Sequence, residues 1–317
     1  MPNNCFLLRN YVNRMFDTRA EINHELISTE FMALLKDTFS DDEFKELLIY
    51  SGYIPDSYSH DSSEETLFTK LIEALVCEWA RRMGFEAELI KQKSSVEDVK
   101  ITINSKVIVC DAKSFRLGRS QQAPNAKDFL KLEDVRKWMA RYENAIGGLV
   151  TYPCTHEWKA QSDIYQYCST KDAPTLMLPY KYLSYLLHIK DTFNPHDLLE
   201  LWNYGDLFPE PLPKNIKGGN KLPYWHKINL RILEITGQTN EQFREYMLQS
   251  DSLIRKCIQA NLETIMKLKD LTIENVKKSI SMENDIEKLK QIAIEYQIET
   301  ETELLNKIIN RIRSFRL

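Results

Sequence analysis

An apolar run ends in an acid at Ile108-Val109-Cys110-Asp111. A lysine follows at position 113, then arginines at 116 and 119. Residues i and i+2 of a strand project to the same side, so the spacing aims the Asp111 carboxylate and the Lys113 ammonium together from the strand's end. Asp98 lies thirteen residues upstream of Asp111, on what reads as the preceding strand. The arrangement Asp-x(n)-(Asp/Glu)-x-Lys suits metal-assisted phosphodiester hydrolysis. Carboxylate oxygens hold Mg²⁺, which keeps several waters and takes substrate phosphate. The ion neutralises non-bridging oxygens and makes a nucleophilic water available. Neighbouring carboxylates raise a lysine pKa and neighbouring cations lower it. Electrostatic stabilisation of the transition state is therefore the first role of Lys113, and general base the second. The structural alternative is a strand end carrying a solvated acid and lysine.

The residues around this motif extend the pattern. Asp111-Ala112-Lys113-Ser114-Phe115-Arg116-Leu117 with Arg119, then Lys127-Asp128-Phe129, resembles the HindIII family of type II restriction endonucleases. Gly52-Tyr53-Ile54-Pro55 and Glu65-x-Leu67-Phe68-x-Lys70 resemble it too, as do Ala145 to Pro153 and Ser162-Asp163-Ile164-Tyr165 more loosely. The resemblance covers roughly residues 45 to 205, and the C-terminal third carries no residue-by-residue match.

This resemblance implies a PD-(D/E)XK nuclease core that cuts double-stranded DNA at a short palindromic site with Mg²⁺. It implies Asp98 and Asp111 as metal ligands, with Asp98 preferred over its neighbour Glu97. It also implies an acid on the helix before the sheet. Glu65 matches, with Glu64, Glu73 and Glu78 as alternatives. Against a catalytic Glu65 stands Ser62-x-x-Glu65, a capping-box pattern in which the glutamate closes on the helix start. A palindrome implies a two-fold homodimer, and a restriction enzyme implies a cognate DNA methyltransferase. Two other readings stay open: a repair or junction-resolving nuclease on the same core, and a non-catalytic DNA-binding module. Intact Asp98, Asp111 and Lys113 count against the second.

Arg116, Arg119, Gln121, Gln122, Asn125 and Lys127 follow the motif on a loop. Arginine pairs bidentately with guanine and Asn or Gln with adenine, while many such contacts reach only phosphate. Net charge is −4 over 317 residues, which is not the global balance of a nucleic-acid binder. Residues 113 to 141 nevertheless hold eight Lys/Arg against three acids, a basic stripe that would serve DNA or form a solvated helix face.

Other chemistries lack their signatures. No G-x-S-x-G, H-E-x-x-H or phosphate-binding glycine loop occurs. Six cysteines show no C-x-x-C spacing and read as small buried hydrophobes of a reducing compartment. No apolar run approaches the ~20 residues that span a bilayer, and the start does not read as a signal peptide. The expected setting is cytoplasmic, with no membrane partner.

These residues need an α/β scaffold. Residues 20 to 52 carry helical periodicity, and a helix from about 63 to 84 repeats Leu67, Leu71, Leu75 and Trp79 at i+4. Segments 86–91, 97–103 and 106–113 read as strands, with a hairpin turn at Asn104-Ser105. A loop at 114–125, a basic helix at 126–143 and strands at 146–152 and 175–178 follow. Residues 207–224 hold four prolines and read as a loop, and the chain from Asn240 reads as long charged helices. The predicted fold is a mixed central sheet flanked by helices. The expected division is a helical region at 1–55, a nuclease core at 56–205 and a C-terminal helical region at 206–317.

Overall fold

A computed structural model describes residues 5–91, 96–116, 129, 131–153, 168, 171–203, 221–281 and 287–313. Helices α1 (Leu7–Thr18), α2 (His24–Thr38) and α3 (Asp41–Tyr50) come first. The periodicity expected over 20–52 is thus broken at Phe39-Ser40. Ser40 caps α3, accepting from Glu43 N–H while the Glu43 carboxylate returns to Ser40 N–H. This capping box starts a new helix, and its Ser-x-x-Glu pattern was readable in the sequence.

Strand β1 (Tyr53–Ile54) leads into α4 (Ser63–Arg82). Leu67, Leu71 and Leu75 of α4 are fully buried, each contributing roughly 1.5–3 kcal/mol. Gly84 ends the helix at φ +86°, with Phe85 N–H returning to Ala80 O at 3.0 Å, a left-handed stop that glycine adopts at low cost.

The main sheet follows: β2 (Glu86–Leu89), β3 (Val99–Ile103), β4 (Lys106–Ala112), β6 (Ala145–Tyr152) and β7 (Thr175–Pro179), in that spatial order. The pairs β2–β3 and β3–β4 are antiparallel, whereas β4–β6 and β6–β7 are parallel. Asn104 and Ser105 both take positive φ (47° and 64°), the turn geometry that matches strand twist in a two-residue hairpin. Helix α5 (Leu132–Met139) lies between β4 and β6 in sequence.

Burial on both faces explains why β4 is apolar without alternation. Ile108 and Cys110 join the large core with α4, while Val107 and Val109 pack under Val135 and Trp138. Two residues of the expected 114–125 loop form a strand instead. Phe115–Arg116 form β5, which pairs in parallel with β1, Tyr53 opposite Phe115 and Ile54 opposite Arg116. A two-residue ladder leaves almost no periodic trace.

Beyond β7 come α6 (Tyr180–His188), α7 (Lys221–Thr236), α8 (Asn240–Ser281) and α9 (Glu287–Arg313). Helix α7 already includes Lys221 to Tyr224, the end of the expected proline loop; Pro223 sits in its first turn, where a missing N–H costs nothing. Helix α8 runs 42 residues, about 63 Å at ~1.5 Å per residue. Helix α9 packs along it, and Ile308, Ile309 and Ile312 meet Ile254, Ile265, Ile49 and Tyr53 in a second core.

The cysteines divide. Cys77 and Cys110 are free and buried, and Cys168 is buried as well. Cys5 and Cys257 are instead disulfide-bonded, with Cα atoms 5.7 Å apart across 252 residues, contrary to the reading of six unpaired thiols. Only the packing of the chain start against α8 creates that proximity. Cys154 lies outside the described residues. Among the described residues no helix is long and apolar enough to cross a membrane.

Candidate active site

The end of β4 and the start of β3 lie side by side. Asp98 precedes β3 by one residue and continues its ladder, its N–H donating to Cys110 O at 2.9 Å. Its Oδ2 accepts the N–H of Ala112 at 2.8 Å, the residue between Asp111 and Lys113. Lys113 Nζ lies 2.6 Å from Asp111 Oδ2. Asp111 is buried.

A third acid reaches this place from α4. Glu73 is buried and pairs with Lys70 at 2.7 Å. Burial raises its pKa, Lys70 opposes this, and the charge of Asp111 adds to the rise. Asp98 is pushed well above the usual carboxylate range by burial, then by the charges of Glu73 and Asp111. Burial works against the Lys113 ammonium, but Asp111, with Asp98 and Asp134, works the other way and its pKa ends raised. Lys113 is therefore held protonated, which suits electrostatic stabilisation and makes it a poor base. Of the four candidate glutamates on this helix, Glu73 is the one whose charge helps to raise the pKa of Asp98. The available signal was a charge inside the otherwise apolar run Leu71-Ile72-Glu73-Ala74-Leu75-Val76-Cys77.

Backbone contacts fix Lys113. Its N–H donates to Thr151 O at 2.8 Å, and its carbonyl accepts the Tyr180 hydroxyl at 2.8 Å. Two residues on, Phe115 N–H donates to Gly52 O at 2.6 Å. The Phe115 ring packs on Phe129, with centroids 5.5 Å apart, and Phe129 on Tyr152 at 5.6 Å.

Glu65 stands elsewhere. Its carboxylate faces the guanidinium of Arg116, with Oε2 2.8 Å from Nη2, and accepts from Asp61 N–H at 2.8 Å. Ser62 caps Glu65 N–H, so the glutamate closes one residue before the cap residue rather than on it. The neighbouring acids are also engaged. Glu97 is fully buried and bound by Arg141 Nη1 at 2.8 Å and by the Tyr142 hydroxyl. Glu78 holds Arg82 at 2.9 Å.

Arg116, expected on the DNA side, turns inward. Beside Glu65 it donates to Tyr58 O at 2.7 Å, Ser59 O at 3.1 Å and Pro55 O at 3.3 Å. It locks the β1 loop to the motif strand. Arg119, Gln121, Gln122, Asn125 and Lys127 lie outside the described residues. Among the described residues of the basic stripe, Arg136 pairs with distant Asp172 and with Glu133 on its own helix, Lys137 with Asp134 on that helix, and Arg141 with distant Glu97.

The Glu65–Arg116 pair makes a stability prediction. Breaking a fully buried pair costs roughly 3–5 kcal/mol, but here three carbonyls remain on the arginine and Glu65 is partly exposed. Glu65→Gln should therefore lose about 1–2 kcal/mol and lower the melting temperature. Unchanged thermal unfolding would remove this role from Glu65.

A family model described as HindIII restriction endonuclease matches residues 16–308. The chain belongs to the HindIII restriction endonuclease family. The chain is also 24% identical, over 254 residues, to the type II restriction enzyme HindIII of Haemophilus influenzae; the match covers 77% of this chain and 82% of that one. The family match extends well past residue 205, where the resemblance read from the sequence stopped, and takes in α7, α8 and most of α9. The five-stranded mixed sheet flanked by helices agrees with a PD-(D/E)XK nuclease fold, and the chain is a type II site-specific deoxyribonuclease by family.

Proposed function

We propose that this chain is a Mg²⁺-dependent restriction endonuclease that hydrolyses both strands of double-stranded DNA at a short palindromic site. The observation carrying this reading is the cluster of Glu73, Asp98 and Asp111 around the Lys113 ammonium. Among the described residues no three His, Cys, Asp or Glu side chains stand at metal-ligand spacing. Asp98 is held by Ala112 N–H and Asp111 by Lys113. The donor set still fits a hard dication: oxygen donors only, in a buried cluster where the charge of Asp111 helps to raise the pKa of Glu73 and both help to raise that of Asp98. Asp98 and Asp111 would hold Mg²⁺, with Glu73 beside them, and the ion would supply charge neutralisation at the phosphate and a nucleophilic water.

The chain's own residues do the rest. Lys113 stays cationic and stabilises charge that builds on the phosphorus oxygens in the transition state. Tyr180 and Thr151 hold its backbone. Glu65 is structural in this reading. The palindrome calls for a two-fold homodimer, for which α8 and α9 expose Leu248, Leu271, Tyr296 and Leu304. A cognate DNA methyltransferase and a cytoplasmic setting go with the activity.

The test is digestion of a plasmid library with Mg²⁺ and sequencing of the ends. One short palindrome at every end supports the reading, whereas ends of random sequence point to a repair nuclease. Glu73→Gln tested alongside should cut at least roughly 10²-fold more slowly without loss of melting temperature. Wild-type cleavage by that variant would take Glu73 out of the site.

A further inference from the structure

We infer that a second, basic cleft beside the acid cluster binds the phosphodiester backbone of duplex DNA outside the bases being read. This rests on the endonuclease reading and adds a contact surface to it. The cleft has a volume of about 780 Å³, and its lining includes Lys36, Arg81, Lys91, Lys100, Arg141 and Glu88. Five cations face one carboxylate there, in a chain of net charge −4.

Their pairing leaves charge to spare. Lys36 and Lys91 are exposed, and among the described residues no carboxylate pairs with either. Arg81 donates to a backbone carbonyl, Ala87 O, at 3.0 and 3.1 Å. Lys100 reaches Glu88 at 3.8 Å and lies 5.2 Å from the centroid of the Tyr142 ring. Among the described residues only Arg141 is closely paired, to Glu97.

The cations come from separate elements: Lys36 from α2, Arg81 from α4, Lys91 from after β2, Lys100 from β3 and Arg141 from after α5. A single small anion needs donors converging on one point. A cleft of this volume lined by five cations suits a polyanion whose charges repeat every few ångströms better than it suits one small anion. Lysines act as point charges without the planar fork that reads a base, so the contact is with phosphate and carries no sequence information. Location ties the cleft to cleavage. Ile90, which also lines it, donates its N–H to Asp98 O at 3.0 Å, so Asp98 joins the cleft wall to the acid cluster. DNA held here would run past the cutting site.

The experiment measures binding of the full chain to a fluorescein-labelled duplex of arbitrary sequence, in Ca²⁺, over a KCl series. The variants are Lys36→Ala with Lys91→Ala, and Lys256→Ala with Lys267→Ala on exposed α8 as a charge-matched control. Each phosphate contact contributes about 0.9 to the slope of log K against log[salt], so the cleft variant should flatten it by about 1.8 and bind roughly tenfold or more weakly near ~0.1 M salt. The control should keep the wild-type slope. A wild-type slope in the cleft variant overturns the cleft inference and leaves the endonuclease reading standing. Equal flattening by the control also overturns it, because the effect is then general charge. A wild type without affinity for duplex overturns both.

Discussion

Asp111→Asn should cut DNA at least roughly 10³-fold more slowly, about 4 kcal/mol in transition-state terms, while still binding duplex. The variant keeps the size of the side chain and loses its charge. Lys113 loses the carboxylate 2.6 Å from its ammonium, and the proposed metal loses one of two ligands. Two effects on stability oppose each other: the Lys113 ammonium loses a carboxylate that offsets its burial, whereas Glu73 and Asp98 lose a charge that helps to raise their pKa values. The second effect relieves repulsion, the sign expected where a site is built at the expense of stability. Both pKa values should fall, so this relief grows where these acids ionise and fades at pH values low enough to keep them protonated in wild type and variant alike. Phosphate contacts made elsewhere should preserve DNA affinity. Cleavage rates, duplex affinity in Ca²⁺ and thermal unfolding measure the three parts. Near wild-type cleavage would falsify the assignment of Asp111.

Gly52→Ala should damage folding and cleavage together, although residue 52 touches no acid of the cluster. Gly52 has φ +88°, a region in which a side chain costs roughly 1–2 kcal/mol. An added Cβ would meet Pro153 Cγ at 2.6 Å and Tyr180 Cε2 at 2.7 Å, and overpacking of this kind costs typically about 1–3 kcal/mol. The combined loss is about 2–5 kcal/mol. Tyr180 is fully buried and cannot swing away. Its hydroxyl holds Lys113 O, and Gly52 O holds Phe115 N–H, so any shift is passed to the lysine. Gly84→Ala is the comparison. Its φ is +86°, but nothing lies within 4 Å of the new Cβ, so only the backbone cost applies and cleavage should survive. Equal effects from the two substitutions would show that close packing at Gly52 does not matter to the site.

Residues 113 to 141 show why charge counted along a chain misleads. The local excess of positive charge is real in sequence, yet Asp172, Glu97 and Glu65 come from 36, 44 and 51 residues away to neutralise part of it. Unspent charge collects instead at Lys36 and Lys91, which no window joins.

What the sequence determined by itself was local. Strand spacing put Asp111 and Lys113 at one strand end, the apolar run marked β4 as a strand, Asn104-Ser105 gave the hairpin, and i+4 leucines gave α4. Each rests on contacts within a few residues, where chemistry and backbone geometry suffice. Tertiary structure alone decided which helix acid joins Asp98 and Asp111, because capping and burial compete for Glu65 and Glu73 and only packing of α4 on the sheet separates them. It also turned Arg116 from a solvent-facing loop residue into an internal clamp, paired β1 with β5, and brought Cys5 to Cys257. Those outcomes depend on partners brought together by burial of the core, and no periodicity along the chain encodes such partners.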